Sequence, residues 1–450
     1  MTTTTGRRAW LLVALALLLA SWAPRPVGGQ PAEAPNAGAR AAAELAAEVR
    51  AGEVLVVLRP GARAAAVAGR AGLAAADQIA PSVHRLRVPP GEERARAQAL
   101  RADPGVAAAA PNYLRRAQFV PNDRLYAQQW APARIGAPSA WDVTVGTAGV
   151  AIAILDSGVD QDHPDLAAKL RPGANFLGAD PSYDPSSCPT RDGVQDDFDH
   201  GTHVSGIAAA ATNNGIGVAG IAWQPMILPV KVLDCRGNGS DVQVIAGMDW
   251  AVGQGARIIN LSFGGAGQSD VLDAAVERAW RAGALVIAAA GNAATDVPFY
   301  PAASPHALAI TASDRDDHFA SSFSNRGPWV SLAAPGVGIL STYPTYMAQY
   351  HVQVGYQFKD GTSMAAPHVA GLAALLLSLH PDYSPNRIMA ILFISADRIE
   401  SCPTGISACP YDAHGRNDYF GYGRINAARA VRVANGLLLP LAPQRGGLAD

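Results

Sequence analysis

Hydrophobic and polar positions fall into two successive α/β patterns of different scale. In the first, Val54–Leu58 reads as a strand, Ala64–Ala76 as a helix, Val83–Val88 as a strand, Glu92–Arg101 as a helix and Val106–Ala110 as a strand. An alternating unit of this size predicts a small ferredoxin-like sandwich. From Asn122 onward the pattern enlarges. Val150–Leu155, Ile227–Leu233, Ala256–Leu261, Ala284–Ala290 and Ala307–Thr311 are short, mainly apolar runs suited to strands buried on both faces. Helical stretches such as Val242–Gln254 and Val271–Ala282 separate them, and Met364–Leu379 is apolar enough for a buried central helix, with Pro367 counted into its first turn. The expectation is a doubly wound, mostly parallel sheet flanked by helices, with its chemistry at the carboxyl ends of the strands.

The flanks read differently. Arg7 and Arg8, the apolar run Ala9–Ala20 and the small-residue site Ser21-Trp22-Ala23 form an export signal, placed at residues 1–29. Its apolar run is too short to span a bilayer. Residues 30–50 are rich in Ala and Pro and resemble a linker, Leu114–Val120 an exposed joint, and residues 434–450 a tail too short for a membrane span.

Charge separates the two patterns. Residues 1–117 hold 15 Arg against 8 acids, a net of +7, whereas residues 118–450 hold 20 basic residues against 29 acids, a net of −9. The two parts therefore attract one another. A whole-chain net of −2 argues against a general nucleic-acid binder, and a hydrophobic fraction of 49% excludes a mainly disordered chain. The four cysteines form no CxxC pair, which excludes zinc-ribbon and thioredoxin-type sites. A nucleotide-binding doubly wound protein is disfavoured too, because neither GxGxxG after a first strand nor GxxxxGK[ST] occurs.

Three segments carry candidate chemistry. Asp156 stands where the run AILDSG ends, His200 opens an apolar helix in DHGTHVSG, and Ser363 opens another in GTSMAAPH. A serine in that place is ordinarily an N-cap. With a base and an orienting acid it becomes a nucleophile, and the helix N-terminus beside it favours a developing oxyanion.

Taken in order, AILDSGVD around Asp156, DHGTHVSG around His200, AAAGN ending at Asn292 and GTSMAAPHVAG around Ser363 resemble the subtilisin-like serine proteases, most closely their thermitase-like members. The chain order Asp, His, Ser is the one found in subtilisin. The resemblance covers about residues 121–433. It implies a secreted serine endopeptidase, made as an autoprocessed preproenzyme, that hydrolyses proteins and peptides through an acyl-enzyme. Ser363 would be the nucleophile, His200 the general base, Asp156 its orienting acid and Asn292 an oxyanion donor. His203 and His368 would be structural. Ala288, Ala289, Ala290 and Gly291 would form one wall of the primary specificity pocket and Ser262, Phe263 and Gly264 the other, with room for an aromatic or long aliphatic P1 side chain.

The resemblance also implies a structural calcium ion held by Asp123, Asp165, Asn214 and the carbonyls of Ala211, Ile216 and Val218, oxygens suited to a hard cation. The acidic insert Asp180–Asp199 either binds a second, weaker calcium or is simply solvated. Residues 30–117, with a folded part at about 52–113, would be the inhibitory propeptide, cut near Tyr113–Gln118. Residues 118–433 would be the peptidase domain, a monomer. Disulfides Cys402–Cys409 and Cys188–Cys235 fit an exported enzyme. The alternative is a catalytically silent homologue serving as a secreted binding protein.

Overall fold

The computed structural model describes residues 49–114, 120–186, 193–347, 354–401, 406 and 409–436. The export signal, most of the linker, Arg115 and Arg116 of the joint, Asp192, Cys188, Cys402 and the end of the tail lie outside them. The chain divides into two units, Met1–Arg116 and Ala117–Asp450.

In the first unit, β1 (Val49–Leu58), α1 (Ala64–Arg70), β2 (Ala74–Ala80), β3 (Val83–Arg87), α2 (Glu93–Leu100) and β4 (Val106–Tyr113) follow one another. The sheet runs β2-β3-β1-β4 with antiparallel pairing throughout. Its core is Val54, Val56, Val67, Leu86, Leu100 and Val106. One expectation is corrected: the helix expected over Ala64–Ala76 ends at Arg70, and a strand occupies Ala74–Ala80. Gly72, at φ 64°, reverses the chain between them. Alanine favours helix, but pairing decides here, with Asp77 opposite Arg85 in register and ion-paired to it.

The second unit is built on a seven-stranded sheet. Its strands are β5 (Ala151–Asp156), β6 (Ala174–Asn175), β7 (Met226–Lys231), β8 (Ile258–Leu261), β9 (Leu285–Ala289), β10 (Ala307–Ser313) and β11 (Leu332–Pro335). They lie in the order β11-β10-β9-β8-β5-β7-β6, every neighbouring pair parallel. β5 sits where the winding reverses, with β7 on one side and β8 on the other. Its side chains alternate between two cores. Ile152 and Ile154 join α3 (His200–Ala209) and α6 (Thr362–Leu379) on one face. Ala151, Ala153 and Leu155 join α4 (Asp241–Gly253) and α5 (Asp270–Arg281) on the other. Both faces are covered, which is why the strand reads as one apolar run. A hairpin of β12 (Ile339–Thr342) and β13 (Tyr356–Lys359) leads into α6, and α7 (Pro385–Ser395) and α8 (Ala427–Ala434) follow it.

α6 is long and apolar enough to cross a bilayer but is buried inside the fold, its first sixteen residues included. It starts at Thr362, so Pro367 stands beyond the first turn rather than within it. Proline has no N–H for the carbonyl four residues back. That carbonyl, on Ser363, instead accepts from the Ser262 hydroxyl at 2.8 Å.

Candidate active site

Asp156 is the last residue of β5 and fully buried. His200 is the first residue of α3, and its Nδ1 donates to Asp156 Oδ1 at 2.8 Å. The same oxygen accepts from Ser157 N at 2.8 Å, which fixes the carboxylate plane. Burial pulls the His200 imidazole down, but its buried partner Asp156 outweighs this and leaves it above the ordinary value of 6.5. Ser363 occupies the first turn of α6, and its Oγ donates to Ser262 O at 2.7 Å rather than to the imidazole. With the return bond from the Ser262 hydroxyl, this makes a reciprocal serine pair that holds the start of α6 against the end of β8.

Asn292 follows β9 on an exposed turn. Its Oδ1 accepts from Thr362 N and Thr362 Oγ1, both at 2.9 Å. Two donors on one side of the amide leave only Nδ2 to face the other way. A Cβ added to Gly361 would stand 3.4 Å from Asn292 Nδ2 and 3.6 Å from Ser363 N, so the two N–H donors border one spot.

His200, Asn292, Thr362 and Ser363 line a cleft of about 200 Å³ with Phe198, Leu233, Gly237, Phe263, Gly264 and Phe299. Ser262, Ala289 and Gly291 line it as well. Ala288 packs into the core on the α4–α5 face, and Ala290 is buried. Alternation along the strand turns only every second residue to the cleft. Phe299 closes it from behind: a Cβ on Gly264 would come within 2.6 Å of its ring and one on Gly291 within 2.9 Å. Nothing in the loop Asn292–Tyr300 signals this in advance, because the contact depends on how three separate segments meet.

Such a site, an Asp–His pair facing a helix-borne serine and an Asn amide across a parallel sheet, can be set beside known proteins. The Subtilase family matches residues 147–423. The chain is 42% identical over 315 residues to "Thermitase" of Thermoactinomyces vulgaris, covering 70% of this chain and 100% of that one. It is 40% identical over 356 residues to "Thermophilic serine proteinase" of Bacillus sp. (strain AK1), 79% of each. The chain belongs to the subtilase family. A solved protease structure from Pseudoalteromonas arctica PAMC 21717 covers 70% of this subtilase and is itself wholly covered, at a TM-score of 0.60 and 31% identity. The subtilase is accordingly a serine endopeptidase.

The remaining histidines of the two motifs are neutral. Burial lowers His203 to about 3 and His368 to about 4. His203 is held by Gln357 O at 2.9 Å and His368 by Met364 O at 2.8 Å, so both serve packing.

A second polar site lies in the loop 211–218 of this subtilase. Asp165 is fully buried, and its carboxylate accepts from Asn214 Nδ2, Val218 N and Tyr356 OH at 2.9 Å each. Asp123 accepts from Asn213 N and Asn214 N at 2.8 and 3.2 Å. Burial pushes Asp165 up to about 6 and raises Asp123. Gly217 takes φ 47°, and a Cβ there would stand 1.8 Å from Asp165 Oδ2. Asn214 Oδ1 accepts from Ile216 N at 3.0 Å. Two carboxylates drawn together among neutral donors, in a loop folded tightly over one of them, suit a hard cation with oxygen ligands. Among the described residues no cluster of three or more His, Cys, Asp or Glu gathers, so carbonyls would have to complete any shell.

Four described carboxylates of the acidic insert have other partners. Asp196 accepts from Ser157 Oγ, Thr202 N, Thr202 Oγ1 and Phe198 N, and Asp197 pairs with the buried Lys231 at 3.1 Å. Asp180 and Asp184 accept from Ser182 and Ser186 in local turns. Cys235 and Cys409 are both disulfide-bonded. Their expected partners, Cys188 and Cys402, are outside the described residues.

Proposed function

We propose that this subtilase cleaves peptide bonds through Ser363, His200 and Asp156, with Asn292 and the Ser363 N–H as the oxyanion hole. The observation that carries the reading is the 2.8 Å bond from His200 Nδ1 to the buried Asp156 at the mouth of a cleft that also holds Ser363 and Asn292. Asp156 fixes the tautomer with hydrogen on Nδ1, leaving Nε2 to accept a proton. Ser363 Oγ turns from Ser262 O toward Nε2 and attacks the substrate carbonyl as its proton passes to His200. The carbonyl oxygen, now carrying negative charge, accepts from Asn292 Nδ2 and Ser363 N. His200 then returns the proton to the leaving amine, an acyl-enzyme remains, and water releases it by the same steps. A serine-directed phosphonylating reagent tests the assignment: it is expected to label Ser363, whereas a silent binding protein would stay unlabelled.

The pH profile follows from the same pair. His200 works as a base only when neutral, and its partner holds it above 6.5. The acid limb of kcat/KM on a peptide anilide is therefore expected above pH 6.5, with activity falling as pH drops through it. A limb at pH 6 or lower contradicts the strength assigned to the Asp156 contact.

The substrate chain would lie extended between Ser262–Gly264 and Ala289–Gly291, with P1 directed toward Phe299. An aromatic or long aliphatic P1 side chain suits that apolar end. Asp123, Asp165, Asn214 and the carbonyls of Ala211, Ile216 and Val218 would hold a structural calcium, with Asn214 turning Oδ1 away from Ile216 to do so. Bound there, the ion neutralises two buried carboxylates and ties the loop to the fold. Calcium a hundredfold above its Kd is expected to add about 2.7 kcal/mol of stability. EDTA should lower the unfolding temperature of wild type and leave Asp165→Asn unmoved; equal responses would argue against the site.

The remaining parts of the reading concern maturation. The chain would be exported by residues 1–29 and work outside the cell. Residues 30–117 would act as propeptide, their net of +4 (12 Arg against 8 acids) drawing them to the −9 of the peptidase part until cleavage near Tyr113–Gln118. Cys188–Cys235 and Cys402–Cys409 would be the disulfides, and the mature enzyme a monomer.

A further inference from the structure

Asp199, immediately before His200, breaks two local rules. It takes φ 81°, a left-handed conformation that few residues other than glycine adopt. It also stands at the N-cap of α3 without using its carboxylate as a cap. The first-turn N–H groups are satisfied by others: Gly201 N by Ser157 Oγ at 3.0 Å and Thr202 N by Asp196 Oδ2 at 2.8 Å. The freed carboxylate reaches across to the hairpin. One oxygen pairs with Lys359 Nζ, and the other accepts from Tyr343 OH at 2.9 Å. Lys359 Nζ in turn lies 5.5 Å from the centre of the Tyr343 ring. Lys359 ends β13, three residues before α6 begins, and Tyr343 directly follows β12.

We propose that Asp199, Lys359 and Tyr343 are positioning residues, a clamp that ties the start of the histidine's helix to the strand running into the serine's helix. The proposal rests on the catalytic reading above. Asp199 and Lys359 each stand just before the helix that carries one reacting side chain, so their contact links the approaches to the two helices. The left-handed turn is what aims Asp199 at the hairpin instead of at its own helix. Neighbouring bonds hold the two elements elsewhere, Thr342 Oγ1 to Thr202 O at 2.7 Å and Ser341 Oγ to His203 O at 2.8 Å. The helix therefore stays docked without the clamp, and its first residue is what the clamp sets.

The clamp also places charge beside the imidazole. The charged groups that act on His200 are Asp156 from β5, Asp196 from the preceding loop and Lys359 from β13, with Asp199 its chain neighbour and the neutral His203 on its own helix. The first turn of α6 brings no charged side chain. Lys359 opposes protonation of His200 and Asp156 favours it. Removing the lysine charge therefore makes His200 easier to protonate, and removing the Asp199 charge leaves Lys359 uncompensated and makes it harder.

The test uses the full-length chain matured by limited digestion with an unrelated protease that is then inhibited, because Ser363→Ala cannot process itself; the variants are wild type, Lys359→Met, Lys359→Arg, Asp199→Asn and Ser363→Ala. Asparagine tolerates the left-handed turn, so Asp199→Asn keeps the backbone. Lys359→Met is expected to lower kcat about tenfold with KM near wild type, since small misplacements of reacting groups cost rate rather than binding. Its acid limb should rise by about half a pH unit and that of Asp199→Asn should fall by a similar amount. Lys359→Arg should recover most of kcat. Unchanged kcat in both charge-removing variants, or limbs that move in the same direction, overturns the clamp. Wild type no faster than Ser363→Ala overturns instead the catalytic reading beneath it.

Discussion

Ser363→Ala is expected to lower kcat on casein by roughly 10⁴- to 10⁶-fold, the upper figure being the loss known for the serine of subtilisin, a relative. The neighbouring hydroxyls are already engaged, that of Thr362 donating to Asn292 Oδ1. Ser157 donates its Oγ to Asp196, and Ser262 donates its own to Ser363 O. Alanine keeps the helix and the Ser363 backbone N–H, so substrate binding and half of the oxyanion hole survive. The reciprocal serine pair loses only the bond from Oγ to Ser262 O. Unfolding temperature should thus stay close to wild type while casein digestion stops. Digestion at the wild-type rate would falsify the nucleophile assignment.

Asp156→Asn is expected to lower kcat by about 10⁴-fold near neutral pH while the protein remains folded. The amide has the shape of the carboxylate, but a single oxygen of Asp156 meets both Ser157 N and His200 Nδ1. With its NH₂ in that place, the amide gives up the bond from Ser157 N and donates to His200 Nδ1, which favours the imidazole tautomer with hydrogen on Nε2. That tautomer cannot take the serine proton. Loss of the buried negative charge also makes His200 harder to protonate, so what activity remains should extend to lower pH than in wild type. Kinetics on a peptide anilide across pH, with circular dichroism as the folding control, decides it. Retention of more than a tenth of wild-type kcat would show that His200 is oriented by something other than Asp156.

Much of this arrangement can be read from the sequence because its signals are local. β5 is legible as an apolar run because both of its faces are covered, and the residue ending it stands at the sheet's carboxyl edge. His200 and Ser363 each open a helix whose apolar length follows directly in the chain. Where position depends on distant partners, legibility fails. Ala74–Ala80 has the composition of a helix and becomes a strand only through its ladder to β3. Pro367 falls in a first turn if the helix is counted from Met364, but the helix starts at Thr362. Phe299 meets Gly264 and Gly291 only once three segments converge. The acidic insert reads as solvated or metal-binding, yet Asp196 is buried and serves Ser157 and Thr202. The Asp199–Lys359 pair joins residues 160 positions apart and leaves no periodic trace.

The separation of the reacting groups has a temporal consequence. Asp156 ends the central strand, while Ser363 arrives on a helix that passes through the heart of the fold some two hundred residues later. During synthesis, a chain that has not yet produced α6 has neither its nucleophile nor a complete core. On the proposed triad, cutting power would therefore come into being all at once, when the last fifth of the polypeptide docks.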